Sequence, residues 1–439
     1  MSLVMSLRGR GAGGSAARTA KVLSRFGATP TAMAARLDRY RSLVASFGAR
    51  PTWPATACVL ARHPDLLRRY AESGAELAVH GLVHGDHAVL DRPTQRNTIA
   101  RALDIFERAG LQPVGFRGPY LRYNDATLAV LRELGFRYDS SQAFAFPRCD
   151  GSGNALPRNR SYELAMELYA ARDADRLVVR PRLRGGLVDL PVAIPDDEII
   201  IERLRLDEAA ATGEWSRIFE LSYARGDLFT IQLHPERIYE LETTLRQTLR
   251  IAASRRPGVF IAGLDQIAEW WRRRDRFRLT VLRTSTGSVR VHLDADRDAT
   301  LVVRGLAVDG AAPWSGGDMV VVERRSFEAA AERLPIVGVS RRTPAQVGAF
   351  LAEEGFACEV SDEPRCFGAY VDVSDTRWSE TALLESITRS PGPLVRLWRW
   401  PNGARSALAV TGDIDALTLK DFVLRSWETR RSAFGRSSS

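Results

Sequence analysis

The 439-residue chain has few cysteines, few histidines, almost no lysine and no long apolar run. Its four cysteines are scattered and form no Cys-x-x-Cys pair, so a disulfide framework is not expected and a reducing compartment is the default. No apolar run reaches membrane-spanning length, and the basic N-terminal stretch lacks the apolar core of a secretory signal. The sequence therefore predicts a cytoplasmic protein without a membrane span.

Arginine carries almost all of the positive charge, and the formal net charge is +9. That charge permits weak attraction to nucleic acid or other polyanions. The arginine and aromatic pattern of a nucleic-acid module is missing, however, so we expect no specific nucleic-acid partner and rank a nucleic-acid-associated protein third among the hypotheses. With 45% hydrophobic and 26% charged residues, the composition is typical of a soluble globular protein with two or three domains.

The chain divides into segments with different patterns. In residues 28–274 short apolar strands alternate with helices of about a dozen residues, which is typical of parallel α/β architecture. In residues 276–395 apolar and polar residues alternate between turns, which predicts an accessory region of β-rich or mixed character. Residues 398–425 return to a short buried strand, and residues 1–27 and 430–439 are predicted to be disordered.

Two histidines mark the end of the predicted strand ELAVH (76–80), one as its last residue and one four residues later. His80 and His84 are two of only six histidines in the chain. Neutral imidazole is the commonest protein ligand of a divalent metal, and if a helical turn follows the strand, this spacing puts both rings on one side. Taken alone, the pair is equally compatible with two solvated or core histidines.

Other ionisable residues share this position at the end of a predicted strand or in the loop after it. In addition to His80 and His84, these residues are Arg117, Asp196, Asp197, His234, Asp413 and Asp415. Each one taken singly has an equally good structural role, such as a turn carboxylate. Their joint placement instead favours one site, because α/β folds bind ligands at the C-terminal ends of parallel strands.

This set of residues fits metal-assisted hydrolysis of an amide or ester. Two histidines and one carboxylate form a facial triad suited to zinc or a similar divalent ion. Such a metal polarises a carbonyl and lowers the pKa of water. A second aspartate can then act as general base, and a histidine with an acidic partner as general acid.

Four motifs resemble those of the polysaccharide deacetylases of carbohydrate esterase family 4. HGLVH (80–84) resembles the metal motif His-Ser/Thr-x-x-His, although Gly81 replaces the usual hydroxyl residue. FRGPY (116–120) resembles Arg-x-Pro-Tyr, and LHP (233–235) resembles Leu-x-His. TGDID (411–415) resembles the aspartate motif that normally opens the family's sequence.

The order of these motifs differs from the family, because the aspartate motif comes last here. The chain therefore resembles a circular permutation in which residues 398–425 supply the first strand of the barrel. The alternative is a swapped homodimer in which this segment completes a neighbouring chain's barrel. The resemblance covers residues 28–274 and 398–425, and it implies a distorted (β/α)7 barrel interrupted by the accessory region.

The resemblance also implies roles for individual residues. Asp415, His80 and His84 would bind the metal, with Asp413 as general base and His234 as general acid. Arg117 would orient the base, and the Tyr120 backbone N–H would help to hold the oxyanion. The acidic partner of His234 would be Asp196 or Asp197, with Asp189 as the fallback. His87 fits no motif, and we interpret it as a loop residue.

The function implied is a metal-dependent hydrolase, with zinc as the expected ion. It would remove an N-acetyl or related acyl group from a carbohydrate or a similar small N-acylated substrate. The alternative hypothesis is a catalytically inactive carbohydrate-binding or scaffold protein with a deacetylase-like barrel. Asp413 and His234 favour the enzyme, because pure binding needs neither a base nor an acid.

Overall fold

The structure is a computed structural model that describes residues 25–148 and 159–433, apart from residues 286, 317 and 376. Most of the two segments predicted to be disordered, residues 1–24 and 434–439, lies outside the described residues. Phe26 is already packed in the core, and a helix runs from Leu419 to Ala433. Within the described part of the chain, no helix is long and apolar enough to cross a membrane.

The main sheet contains nine strands. In chain order they are β1 (Thr52–Ala55), β2 (Glu76–Val79), β3 (Gly115–Phe116), β4 (Tyr138–Asp139), β5 (Arg182–Arg184), β6 (Leu187–Asp189), β7 (Leu228–Gln232), β8 (Val259–Ile261) and β9 (Ser406–Thr411). In space they run β7-β9-β1-β2-β3-β4-β6-β5, with β8 also paired to β9. Only the β5–β6 pair is antiparallel. The fold is therefore α/β with a mostly parallel sheet.

Helices connect these strands along residues 31–274. They are Thr31–Ala45, Ala57–Arg62, Pro64–Glu72, Arg92–Arg108, Asp125–Glu133, Arg160–Tyr169, Glu208–Arg225, Ile238–Ser254 and Leu264–Arg274. Side chains of Asp91, Asn124, Asn159 and Asp207 accept hydrogen bonds from backbone N–H groups in the first turns of four of these helices. These caps satisfy N–H groups that have no partner within a helix, and so they define where the helices begin.

The C-terminal strand β9 is an interior strand of the sheet of its own chain, next to the terminal strand β7. It pairs with β7 along one edge, and with β8 and β1 along the other. All six of its residues are buried, which is expected for a parallel strand covered on both faces. In this structure the C-terminal segment thus lies next to strands from the N-terminal part of the same chain.

The sheet is open and does not reproduce a complete ring of seven strands. Its hydrogen-bonded path ends at the antiparallel strand β5 on one side and at β7 on the other. Between β4 and β7 the chain also forms a separate three-stranded sheet from Ala143–Ala145, Arg172–Asp173 and Val192–Ile194. This irregular stretch interrupts the simple strand–helix alternation from which the (β/α)7 barrel was predicted.

The segment between β8 and β9 forms three smaller sheets. The first contains Arg278–Ser285, Ser288–Asp294 and Ser326–Ala330; the second contains Leu301–Arg304, Ala312–Ser315, Met319–Val322 and Leu394–Leu397. The third is parallel and contains Leu334–Val339, Cys358–Val360 and Phe367–Val371, with helices Ala345–Glu353 and Glu380–Arg389. The predicted accessory region thus contains both antiparallel and α/β elements.

A buried carboxylate ties this segment to the main sheet. Glu354 is fully buried and contacts Arg180 (2.5 Å), Arg399 (2.6 Å) and Arg396. Arg399 also pairs with Asp227, directly before β7, at 3.1 Å. Burial opposes ionisation of Glu354, but the three arginines outweigh it and hold the pKa of this carboxyl below its usual range.

We expect Glu354→Gln to destabilise the protein strongly. The substitution keeps the size of the side chain but leaves three buried guanidinium groups short of negative charge, which typically costs about 3–5 kcal/mol. The melting temperature should fall by several degrees. Glu328→Gln is the control, because its ion pair with Arg290 is more than half exposed, and it should cause no measurable change. An equal response of the two variants would contradict a structural role for the Glu354 cluster.

Candidate active site

A cavity of about 580 Å³ opens at the C-terminal ends of the strands in the main sheet. Its lining includes His84, Tyr120, Asp196, Gln232, His234, Asp413, Asp415 and Arg425. His234 follows β7, whereas Asp413 and Asp415 follow β9, the neighbouring strand. Residues predicted from two distant parts of the chain therefore share one cavity.

His80, His84 and Asp415 form a triad whose ligand atoms all lie within 4.8 Å of one another. His80 Nε2 is 3.5 Å from Asp415 Oδ1, and His84 Nε2 is 3.3 Å from Asp415 Oδ2. The Nδ1 atom of His80 is 2.8 Å from the carbonyl oxygen of Arg117, to which it donates a hydrogen bond in the corresponding tautomer. That bond orients the ring and leaves Nε2 free to bind a metal.

The triad fits a divalent metal ion. His80 Nε2 and Asp415 Oδ1 are buried and have no hydrogen-bond partner among the described residues. Burial, with smaller contributions from Arg425 and His80, lowers the pKa of His84 well below its usual value, so this imidazole is neutral as a metal ligand must be. Two imidazoles and one carboxylate are a donor set typical of zinc.

Gly81 and His87 shape the loop that carries the histidines. Gly81 has a φ of +77°, and a Cβ atom there would lie 2.8 Å from His87 Nε2. His87 is only 2% exposed, and its ring packs edge-on against Phe116 with centroids 5.5 Å apart. Burial, together with His80, lowers the pKa of His87 to about 4. His87 lies in the loop after β2, within the short 3-10 turn His87–Val89, and its buried side chain fills the space behind Gly81.

Arg117 holds Asp413 in place. The guanidinium is fully buried and donates to Asp413 Oδ1 (3.0 Å), to Thr411 Oγ1 (2.8 Å), and to the backbone oxygen and hydroxyl of Ser140 (both 2.9 Å). The second oxygen of Asp413 accepts a hydrogen bond from Gln232 Nε2 at 2.9 Å. Asp413 is therefore fixed from two sides.

His234 pairs with Asp197 rather than with either alternative carboxylate. Its Nδ1 lies 2.9 Å from Asp197 Oδ1, and its backbone N–H donates to Asp197 Oδ2 at 3.0 Å. Asp196 instead accepts the backbone N–H of Ile199, and Asp189 pairs with Arg184 at 3.2 Å. Burial disfavours the imidazolium of His234, but Asp197 outweighs burial and raises the pKa of His234 to about 10.

Tyr120 lies in the cavity wall with a left-handed backbone conformation, at φ 60°. Its ring stands edge-on against His84, with centroids 4.4 Å apart. A residue with a side chain in this conformation is strained by about 1–3 kcal/mol, and such strain is often found at functional sites. The oxyanion role of its backbone N–H stays a prediction.

Two residues of the site were missed by the sequence analysis. Gln232 is a polar residue at the end of the apolar strand β7, and this position was a usable signal. Arg425 lies on the helix Leu419–Ala433, and its Nη1 donates to Asp415 Oδ2 at 2.6 Å. No motif or periodicity singles out Arg425, since its partner lies a loop and two helical turns earlier in the chain.

Comparison with known proteins gives a partial match. Residues 36–138 match the family model described as polysaccharide deacetylase. The peptidoglycan deacetylase-like protein FGM2 of Gibberella zeae is 34% identical over 91 residues, which are 20% of this chain and 27% of the relative. The chain therefore spans only about a quarter of the length of this curated relative.

Two solved structures are similar to part of this chain. One is a protein from Mycobacterium smegmatis assigned as a polysaccharide deacetylase, with 24% identity, a TM-score of 0.43, and 58% of this chain and 82% of that chain covered. The other is Puue allantoinase, with 20% identity, a TM-score of 0.40, and 54% and 72% covered. The family-model match establishes that residues 36–138, which include His80, His84, Arg117 and Tyr120, are similar to polysaccharide deacetylases.

Proposed function

We propose that this chain is a metal-dependent hydrolase that removes an N-acetyl or related acyl group from a carbohydrate or a similar small N-acylated substrate. The observation that carries the proposal is the convergence on one cavity of the His80–His84–Asp415 triad, the fixed carboxylate of Asp413 and the His234–Asp197 pair. The similarity of residues 36–138 to polysaccharide deacetylases supports a C–N bond as the target.

Each proposed role follows from a contact of the residue. His80, His84 and Asp415 would hold the divalent ion, for which zinc is the first choice. When bound, such an ion polarises the acyl carbonyl and acidifies a water molecule. Asp413, fixed by Arg117 and Gln232, takes the proton of the attacking water, whose oxygen forms a bond to the acyl carbon.

His234 completes the reaction as the general acid. Its Nδ1 faces Asp197, which leaves Nε2–H to protonate the leaving nitrogen as the C–N bond breaks. The products are a carboxylic acid and an amine, which exchange a proton to leave as carboxylate and ammonium, and the proton taken up by Asp413 returns His234 to its protonated form. The backbone N–H of Tyr120 is proposed to donate to the oxyanion that forms on the acyl oxygen. A protein that only bound carbohydrate would have no use for this base and acid.

The strand order supports the proposal that the chain is a circularly permuted deacetylase. β9, which carries the aspartate motif, lies between β7 and β1, in the same chain as the histidine motif. The cavity of about 580 Å³ lies within the range of small-molecule sites, and its wall contains both apolar and charged side chains. These features suit a sugar-sized N-acylated molecule.

We expect Asp413→Asn to abolish turnover while the metal stays bound, and His80→Ala to lose the metal. The asparagine keeps the shape of the side chain but cannot take a proton, whereas the alanine removes one of three ligands. Turnover is measured on a panel of N-acetylated sugars, and metal content by elemental analysis. Full activity of Asp413→Asn would refute its role as base.

The metal content of the wild-type protein tests whether the two ends of the chain build one site. We expect about one zinc-like ion per chain, and its loss in the double variant Asp415→Ala/His84→Ala, because these residues supply two of the three ligands. A wild-type protein that takes up no metal after reconstitution would favour the carbohydrate-binding or scaffold hypothesis.

The His234–Asp197 pair predicts the alkaline limb of the pH profile. A general acid must be protonated, and the pKa of His234 is raised to about 10, so kcat/KM should hold until the pH approaches that value and then fall. In Asp197→Asn the charge that favours the imidazolium is gone, and the limb should move to lower pH by more than about one unit.

Asp196→Asn is the matched control for this pH experiment. Asp196 is the neighbouring carboxylate and lines the same cavity, but it accepts a hydrogen bond from the backbone N–H of Ile199. Asp196 still interacts with His234 through its charge, so the alkaline limb should move much less in this variant than in Asp197→Asn. A limb that moves equally in both variants would show that the contact with Asp197 does not set the pKa of His234.

A further inference from the structure

Arg425 brings a positive charge to the edge of the proposed metal triad. Its Nη1 donates to Asp415 Oδ2 at 2.6 Å, and 31% of its side chain is exposed, compared with 5% for Asp415. The helix that carries it is anchored to the histidine loop, because Thr429 Oγ1 donates to the carbonyl oxygen of His84 at 3.0 Å. Arg62 pairs with Asp421 on the same helix at 2.6 Å.

The contacts of Asp415 divide between its two oxygens. Oδ2 accepts from Arg425 and lies 3.3 Å from His84 Nε2. Oδ1 lies 3.5 Å from His80 Nε2, and neither of these two atoms has a hydrogen-bond partner among the described residues. Each oxygen of the carboxylate thus faces one histidine of the triad, and the guanidinium holds the oxygen that faces His84.

We propose that Arg425 is a built-in cationic competitor of the metal ion at Asp415. This inference rests on the metal site of the proposed function. In the metal-free protein the guanidinium offsets the buried charge of Asp415 and keeps the triad assembled. A divalent cation entering the triad meets this positive charge a few ångströms away, so the site binds metal more weakly than its three ligands alone would.

A purely orienting role predicts the opposite result. Hydrogen-bond partners of metal ligands usually strengthen binding, and their removal typically weakens affinity about 10- to 100-fold. Arg425 differs from a neutral partner because it carries a full charge of the same sign as the ion, and the repulsion acts in a largely buried site where water screens little. The two roles therefore predict changes of opposite sign in metal affinity.

The test compares Arg425→Gln with Arg205→Gln. Arg205 lines the same cavity and is exposed, and no ion pair involving it is found within the described ranges, so its substitution makes the same change in net charge away from Asp415. Zn²⁺ affinity is measured by competition with a chromophoric chelator at one fixed pH. We expect Arg425→Gln to bind at least about tenfold more tightly than the wild type, and Arg205→Gln to change less than about threefold.

Thermal unfolding gives a second readout that does not depend on activity. Metal-free Arg425→Gln should melt below the metal-free wild type, because a buried carboxylate has lost its partner. The same excess of Zn²⁺ should then raise its melting temperature more than that of the wild type, since ligand binding stabilises the folded state by an amount that grows with the logarithm of the affinity. Arg425→Lys retains the charge and should remain close to the wild type in both measurements.

The outcomes separate this inference from the proposed function. If the wild type binds Zn²⁺ and Arg425→Gln binds it equally or more weakly, the competitor role is overturned and the metal site stands. If neither protein binds Zn²⁺, both are overturned. Zn²⁺ binding by Arg425→Gln that exceeds that of the wild type, with Arg205→Gln unchanged, supports the competitor role.

Discussion

The buried guanidinium of Arg117 is the interaction on which the site depends. The guanidinium donates hydrogen bonds to Thr411 and Asp413 in the C-terminal segment and to Ser140 after β4. The backbone oxygen of Arg117 is within hydrogen-bonding distance of His80. A buried charge without a partner is costly, and removing one member of such a pair costs about 3–5 kcal/mol. Arg117 is therefore fully satisfied only when β9 has joined the sheet, so completing the fold and assembling the site are one event.

The long segment between β8 and β9 helps to position β9 in the sheet through the buried side chain of Glu354. Its carboxylate bonds Arg399, which also pairs with Asp227 at the start of β7. Arg399 lies a few residues before β9, and β7 and β9 are paired neighbours that end at His234 and Asp413. One buried charge network thus positions the N-terminal ends of both strands. Because the strands are paired, it also positions the residues that follow their C-terminal ends.

The sequence predicted the residues of the site better than their pairings. Apolar runs locate buried strands, and the polar residues after them must meet at one edge of a parallel sheet, which is why the sequence predicted that His80, His234 and Asp413 lie close together. Asp196 and Asp197 are adjacent and chemically identical, and only the turn at Ile199 decides which one reaches His234. The burial of His87 and the contact of Arg425 depend on tertiary packing that leaves no local pattern, whereas the polar Gln232 at the end of the apolar strand β7 did offer a local signal. The described strands of residues 143–194 are only two or three residues long, and an apolar pattern of that length does not predict how such strands pair.

Two aspartates separated by one residue are each held by an arginine, but the two arginines differ in a way that matches the proposed roles. Arg117 is fully buried and is held by four hydrogen bonds, so it cannot leave Asp413 without breaking the core around it. Arg425 is partly exposed beside an open cavity, and its guanidinium forms an ion pair with Asp415. A base needs a permanent orientation, whereas a metal ligand needs a counter-ion that can be outcompeted. The difference in burial between the two arginines provides both at two positions of one loop that are separated by a single residue.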